Sequence, residues 1–253
     1  MPTWLAAGGW GVLAGSALLV GSAVGYLAKV PAKVIASVMA FGAGVLLSAM
    51  SVDVIAAVRE RGHLLACVLG LAAGATIYTG CNVLLAARGA RHRKRSGASV
   101  AQPSEQQQAG SGSAIALGAF LDGVPESIVI GAGLLAGKGV SVVTVVAIFL
   151  SNLPEGLSSA AGMRKAGRTP RYVFGLWGGI VLASGIAAVA GYSLLGGASP
   201  PVLSGISALA AGAIFAMIAD TMIPEAFDDA HLFTGLILVA GFVTALSLGT
   251  LEG

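Results

Sequence analysis

Apolar residues fill the chain in eight long runs, each closed by a charge, a proline or a glycine turn. The runs cover about 4–28, 31–58, 63–87, 113–136, 140–163, 172–195, 202–225 and 231–251. A hydrocarbon layer about 30 Å thick takes roughly 20 residues of helix per crossing, so each run predicts one spanning helix. None shows the alternation of barrel strands, which leaves helices as the spans that satisfy their own backbone in lipid. The pattern therefore predicts an all-α membrane protein with eight transmembrane helices.

Composition agrees. Of 253 residues, 56% are hydrophobic and 10% charged, against about 25% charged in soluble domains. Most of the surface is thus expected to face lipid. One stretch breaks the pattern, RGARHRKRSGASVAQPSEQQQAGSGS at 88–113. Its composition cannot bury a core, so residues 88–112 read as a disordered cytoplasmic linker between spans 1–3 (residues 1–87) and spans 4–8 (residues 113–253).

Charge placement orients the spans. No Lys or Arg precedes the first run, which argues against a cleaved signal peptide and for an external N-terminus. Eleven of the 14 basic residues then fall in cytoplasmic connections, leaving Arg59, Arg61 and Lys138 outside. Both termini are expected outside the plasma or inner membrane. Net charge is +3, but the basic residues sit at membrane edges, so no nucleic-acid partner is implied. RHRKR at 91–95 reads as a topology determinant. Cys67 and Cys81, about 21 Å apart along one helix, cannot form a disulfide.

The chain also repeats itself. FLDGVPESIVIGAG at 120–133 returns as FLSNLPEGLSSAAG at 149–162, and AMSVD at 49–53 returns as AMIAD at 216–220. In this topology spans four and five run in opposite directions, as do two and seven. Antiparallel copies of this kind predict an inverted repeat with a site at its interface near the midplane. Glycine pairs Gly11/Gly15, Gly21/Gly25, Gly70/Gly74, Gly133/Gly137 and Gly175/Gly179 predict close helix approach.

Six of the eleven acids fall inside predicted spans: Asp53, Asp122, Glu126, Glu155, Asp220 and Glu225. A charge at the bilayer centre costs at least about 2.5–3.5 kcal/mol and needs a partner. No Lys or Arg lies in a span interior, so water, a proton or a cation is expected to fill that role. Asp122 and Glu126 stand at i and i+4, as do Ser151 and Glu155, with Asn152 beside them. Pro125 and Pro154 free the carbonyls of Leu121 and Leu150. Together the two spans offer Asp122, Glu126, Ser151, Asn152 and Glu155, an all-oxygen shell suited to a divalent cation. Asp53 near the external end, and Asp220 and Glu225 near the cytoplasmic end, read as carboxylates along the cation's route. His63, His92 and His231 lie in or beside connections. No zinc-ligand spacing, catalytic triad or phosphate-binding loop is present, so neither an enzyme nor a prosthetic group is expected.

These residues resemble the ZIP family of divalent-metal transporters. The likeness rests on eight spans with a loop between the third and fourth, on DGVPES at 122–127 and SNLPEG at 151–156, and on FGAGVLL at 41–47 and AAGAIFAMIADTMIPEA at 210–226. The resemblance implies a 3+2+3 arrangement with inverted pseudo-symmetry, metal uptake into the cytoplasm and a homodimer. It assigns Glu126 and Glu155 as metal ligands and Asn152 as their polar neighbour. The chain departs from the family pattern at Asp122, where the family has His, at Gly123 for Asn and at Ser151 for His or Gln. Ala188 stands in place of a bridging Glu, which argues against two metals. Carboxylate for imidazole hardens the site toward Mn²⁺, Fe²⁺ or Mg²⁺, whereas the resemblance itself implies Zn²⁺, with Cd²⁺ as a further candidate. Clustered carboxylates cannot all stay ionised when empty, so metal entry is expected to displace about one or two protons. An inside-negative potential of about 100 mV adds about 2.3 kcal/mol per charge moved inward. The other reading is a ZIP-like homologue that carries another solute or protons, or senses metal without moving it.

Overall fold

The computed structural model describes residues 2–90, 93, 102–104, 106–108, 110–135 and 141–252. Every regular element among them is helical. The helices are α1 Thr3–Leu27, α2 Ala32–Arg61, α3 Leu64–Leu85, α4 Ser111–Leu135, α5 Val142–Lys165, α6 Pro170–Leu195, α7 Pro200–Met217, α8 Ile223–Ala230 and α9 Thr234–Glu252. Eight of the resulting segments are long and apolar enough to cross a membrane, α7 and α8 together forming the seventh. The protein is an all-α integral membrane protein of eight spans.

Local chemistry sets the boundaries. Ser141 and Thr169 cap α5 and α6 by accepting from the Thr144 and Tyr172 amides, and Pro170 and Pro200 occupy first-turn positions where no N–H is missed. Gly62, at φ 66°, ends α2 in the left-handed region. Pro125 and Pro154 sit inside helices that continue through them. Pro224 instead follows a π turn over Ile218–Met222 that joins α7 to α8. Proline's missing donor and its clash with the carbonyl four residues back account for that widened turn.

Packing obeys an inverted two-fold relation. α1 packs on α5 as α6 packs on α4, α2 on α9 as α7 on α3, and α2 on α5 as α7 on α4. Exchanging α1 with α6, α2 with α7, α3 with α9 and α4 with α5 leaves this pattern unchanged. The repeat expected for spans two/seven and four/five thus extends to one/six and three/eight.

Glycine makes the matching interfaces possible. A Cβ on Gly44 would overlap the Leu238 carbonyl oxygen, and one on Gly241 that of Phe41. At the related interface Gly212 meets the Leu71 carbonyl and Gly74 that of Leu209. Between α1 and α5, Gly21 and Gly25 lie on the Leu153 and Leu157 carbonyls while Gly156 lies on that of Leu18. Backbones this close exchange Cα–H···O contacts instead of side-chain packing. Gly11 and Gly15 lie against α6 and Gly70 against α7, as the small-residue spacing predicts. Gly133, Gly175 and Gly179 face open space instead, and Gly137 lies outside the described residues.

These contacts predict an asymmetry between similar substitutions. Gly74→Ala and Gly241→Ala should each destabilise the protein by about 1–3 kcal/mol through overpacking. Gly175→Ala should be neutral or stabilising, by up to about 1 kcal/mol. Thermal unfolding in detergent, followed by circular dichroism, checks the contrast.

Candidate functional site

A polar stripe runs down α5. Thr144, Ser151, Glu155 and Ser158 are spaced seven, four and three residues apart, which places them on one helix face over about 21 Å. All four are buried. Three of them meet an acid from another helix. Thr144 Oγ1 lies 3.4 Å from Asp53 Oδ2 of α2, Ser151 Oγ 3.5 Å from Glu126 Oε1 of α4, and Ser158 Oγ 3.4 Å from Glu225 Oε1 of α8. These distances exceed the roughly 2.7–2.8 Å of an optimal O–H···O bond. The oxygens are gathered along the stripe rather than tightly bonded to one another.

The central pair joins the two copies of the repeated motif. Asp122, Glu126, Ser151, Asn152 and Glu155 are each at most 4% exposed. Ser151 is held by a 2.9 Å bond to the Ile148 carbonyl, which aims its hydroxyl beside Glu126. Glu155 follows one turn along the same face. Asn152 turns away: its amide donates to the Ala14 carbonyl of α1 at 3.1 Å. One residue from Ser151 is about 100° around the helix, enough to present Asn152 to a different neighbour. The Leu150 carbonyl, left without a donor by Pro154, borders α2, where a Cβ on Gly42 would stand 3.4 Å from it.

Asp122 is engaged by a residue that sequence reasoning placed elsewhere. Arg93, from RHRKR, is 2% exposed and grips Asp122 with both edges of its guanidinium, Nε–Oδ2 3.0 Å and Nη2–Oδ1 2.8 Å. Nη2 also donates to the Tyr78 hydroxyl at 2.9 Å, and Tyr78 donates to Asp122 Oδ1 at 2.6 Å. Nη1 reaches Asn82 Oδ1 at 2.9 Å and the Ala90 carbonyl at 3.4 Å. All five guanidinium N–H groups therefore have acceptors. The Glu155 carboxylate acts electrostatically on the same group. The expectation that no base reaches the span acids is corrected here: the base comes from the linker, and a long flexible stem carries its charge inward.

Other described residues of 88–112 are also structured. Ala86–Ala90 form a π turn. The Gln102 amide bonds the Arg93 carbonyl at 2.7 Å and the Ser159 carbonyl of α5 at 3.1 Å. Arg168 donates to the Pro103 carbonyl and to Ser111. The segment is thus stitched to α3, α4, α5 and the α5–α6 turn. His92 and the rest of 91–92, 94–101, 105 and 109 lie outside the described residues.

Of the remaining sequence candidates, Asp220 sits exposed in the π turn, its Oδ2 3.5 Å from Asn82 Nδ2. It therefore adjoins the Arg93 network. Ala188 is a packing position, buried against Gly11 of α1 with its carbonyl beside Gly131 of α4. Cys67 and Cys81 are not joined in a disulfide, and Cys67 is buried against Ser204. Among the described residues no group of three His, Cys, Asp or Glu side chains is close enough to hold a metal by itself. Any ion here must also use hydroxyl, carbonyl or water oxygens, which suits hard cations.

Sequence reasoning missed Thr144, Ser158, Tyr78, Asn82 and Arg93. Helical spacing along α5, and an Asn four residues after a Tyr in α3, were available signals for the first four. No family model and no curated protein matches the chain.

Because Asp122 accepts charge-assisted hydrogen bonds from a buried partner, Asp122→Asn should lower stability by about 1.5–3 kcal/mol. Asp53→Asn, at an exposed position, should leave the melting temperature unchanged. Paired thermal melts of the two variants test this.

Proposed function

We propose that the protein takes up a divalent metal cation into the cytoplasm, along the α5 stripe, as a transporter of the ZIP type. The observation that carries this reading is the stripe itself. Carboxylates from α2, α4 and α8, and Glu155 from α5, are delivered to one line of small hydroxyls that runs most of a span's length. Intramembrane acids facing a bundle interior mark ion pathways. A sequence of separated oxygen sites gives a cation a place to bind at each depth without trapping it at any one. Glu126, Ser151 and Glu155 form the central site, with water completing the shell. An oxygen-only set favours Mn²⁺ or Fe²⁺ over a strongly zinc-selective centre, with Zn²⁺ and Cd²⁺ as competing cargo.

The rest of the reading follows from the sequence. The distribution of Lys and Arg supports a cytoplasmic-membrane location with both termini external. The resemblance to ZIP transporters supports a homodimer.

Glu126→Ala and Glu155→Ala should each abolish Mn²⁺ or Zn²⁺ uptake into proteoliposomes while leaving the helical signal and elution volume of the purified protein unchanged. Full transport by either variant removes the central site. Calorimetric titration with Mn²⁺, Fe²⁺, Zn²⁺ and Cd²⁺ separates transport from the alternative cargo: absence of heat with every ion favours a proton or another solute.

A further inference from the structure

Arg93 stands out because it is a permanently charged base placed among acids that the proposed cation would use. Its contacts are those of a finished binding site. Both Asp122 oxygens are taken in a fork, and Tyr78 and Asn82 of α3 and the Ala90 carbonyl accept the remaining side-chain donors. Asn82 in turn faces Asp220 of the π turn at 3.5 Å, so one asparagine joins the guanidinium to a second acid. Glu155 feels its charge as well. Asp122 lies one helical turn from Glu126, which places the guanidinium next to the central site on the linker side.

Two features separate Arg93 from an ordinary structural base. It belongs to the connection between α3 and α4 rather than to one of the described spanning helices. Its path inward also exists by virtue of Gly118 of α4: a Cβ there would collide with Arg93 Cδ and Nε. The groove for the arginine stem is built into the helix face.

We propose that Arg93 is a tethered competing cation, holding Asp122 and the adjoining acids until it is displaced, and that a divalent cation passes the linker end of the stripe when Arg93 withdraws. This rests on the transporter reading above. A dication and a guanidinium repel each other in a low-dielectric site, so occupancy by one disfavours the other. Because only the fraction of protein with Arg93 withdrawn is competent, the apparent affinity is reduced by that fraction. The linker thereby sets how strongly the transporter responds to its cargo. An ion pair serving stability alone would have no such effect.

The test is Mn²⁺ and Zn²⁺ uptake by the full chain in proteoliposomes, with KM measured for wild type, Arg93→Gln, Gly118→Val and Asn82→Leu. Arg93→Gln removes the competitor. Gly118→Val fills its groove and leaves every charge in place, and Asn82→Leu removes one acceptor. The expected result is a KM about tenfold lower for Arg93→Gln and Gly118→Val, and about threefold lower for Asn82→Leu, as a tenth-populated competent state becomes dominant. Should Arg93→Gln fail to fold, the other two variants decide, since both keep the ion pair's charges. Uptake with unchanged or raised KM in the folded variants overturns this proposal and leaves the transporter reading standing. No uptake of either ion by wild type and variants alike overturns both.

Discussion

A carboxylate that enters a bundle surrounded by hydrocarbon gives up its water, and whatever replaces that water decides what the bundle can do. Here the replacement differs with depth. Asp122 receives a guanidinium, a phenol completes its shell, and an asparagine braces the guanidinium from α3. Glu126 and Glu225 are met by hydroxyls at 3.5 and 3.4 Å, too long to be optimal bonds. The first arrangement is closed and fully satisfied. The second brings hydroxyl and carboxylate oxygens from different helices together at longer separations.

Close helix approach makes this division possible. Reciprocal glycine–carbonyl contacts join α1 to α5, α2 to α9 and α3 to α7, and they draw backbones together without large side chains between them. Small residues at the interfaces leave the polar side chains of α5 as the feature that faces the acids. The inverted relation between the two halves brings the Pro-Glu motifs of α4 and α5 to the same level from opposite directions. The symmetry is broken chemically at two related positions, Asp122 and Ser151. The acid receives the arginine, and the hydroxyl meets Glu126.

Much of this was legible in the residues. Eight apolar runs, the repeat of FLxxxPE and the six span acids follow from counting, because lipid imposes length and repetition imposes direction. Asn152 shows a limit of that reading. It stands beside Ser151 in sequence, but helix rotation turns it toward α1, and which neighbour lies there is a matter of packing between distant segments. Arg93 shows a deeper one. Within RHRKR at 91–95 nothing local marks Arg93 as a residue that reaches Asp122, because its place is set by Gly118, Tyr78 and Asn82 on two other helices. A glycine facing a groove and an asparagine within a span were the available clues, and each has an ordinary packing or capping role in most chains. The polar spacing along α5 was fully readable; attention to acids alone passed over the hydroxyls between them.

The central claim is that the repeated motifs of α4 and α5 build one cation site at the meeting of Glu126, Ser151 and Glu155. Anomalous scattering from crystals soaked in Mn²⁺ or Zn²⁺ locates bound metal directly. The account predicts a peak within coordination distance of oxygens from both helices, at Glu126 and Glu155. Peaks confined to the surface, or none inside the bundle at saturating metal, would contradict it.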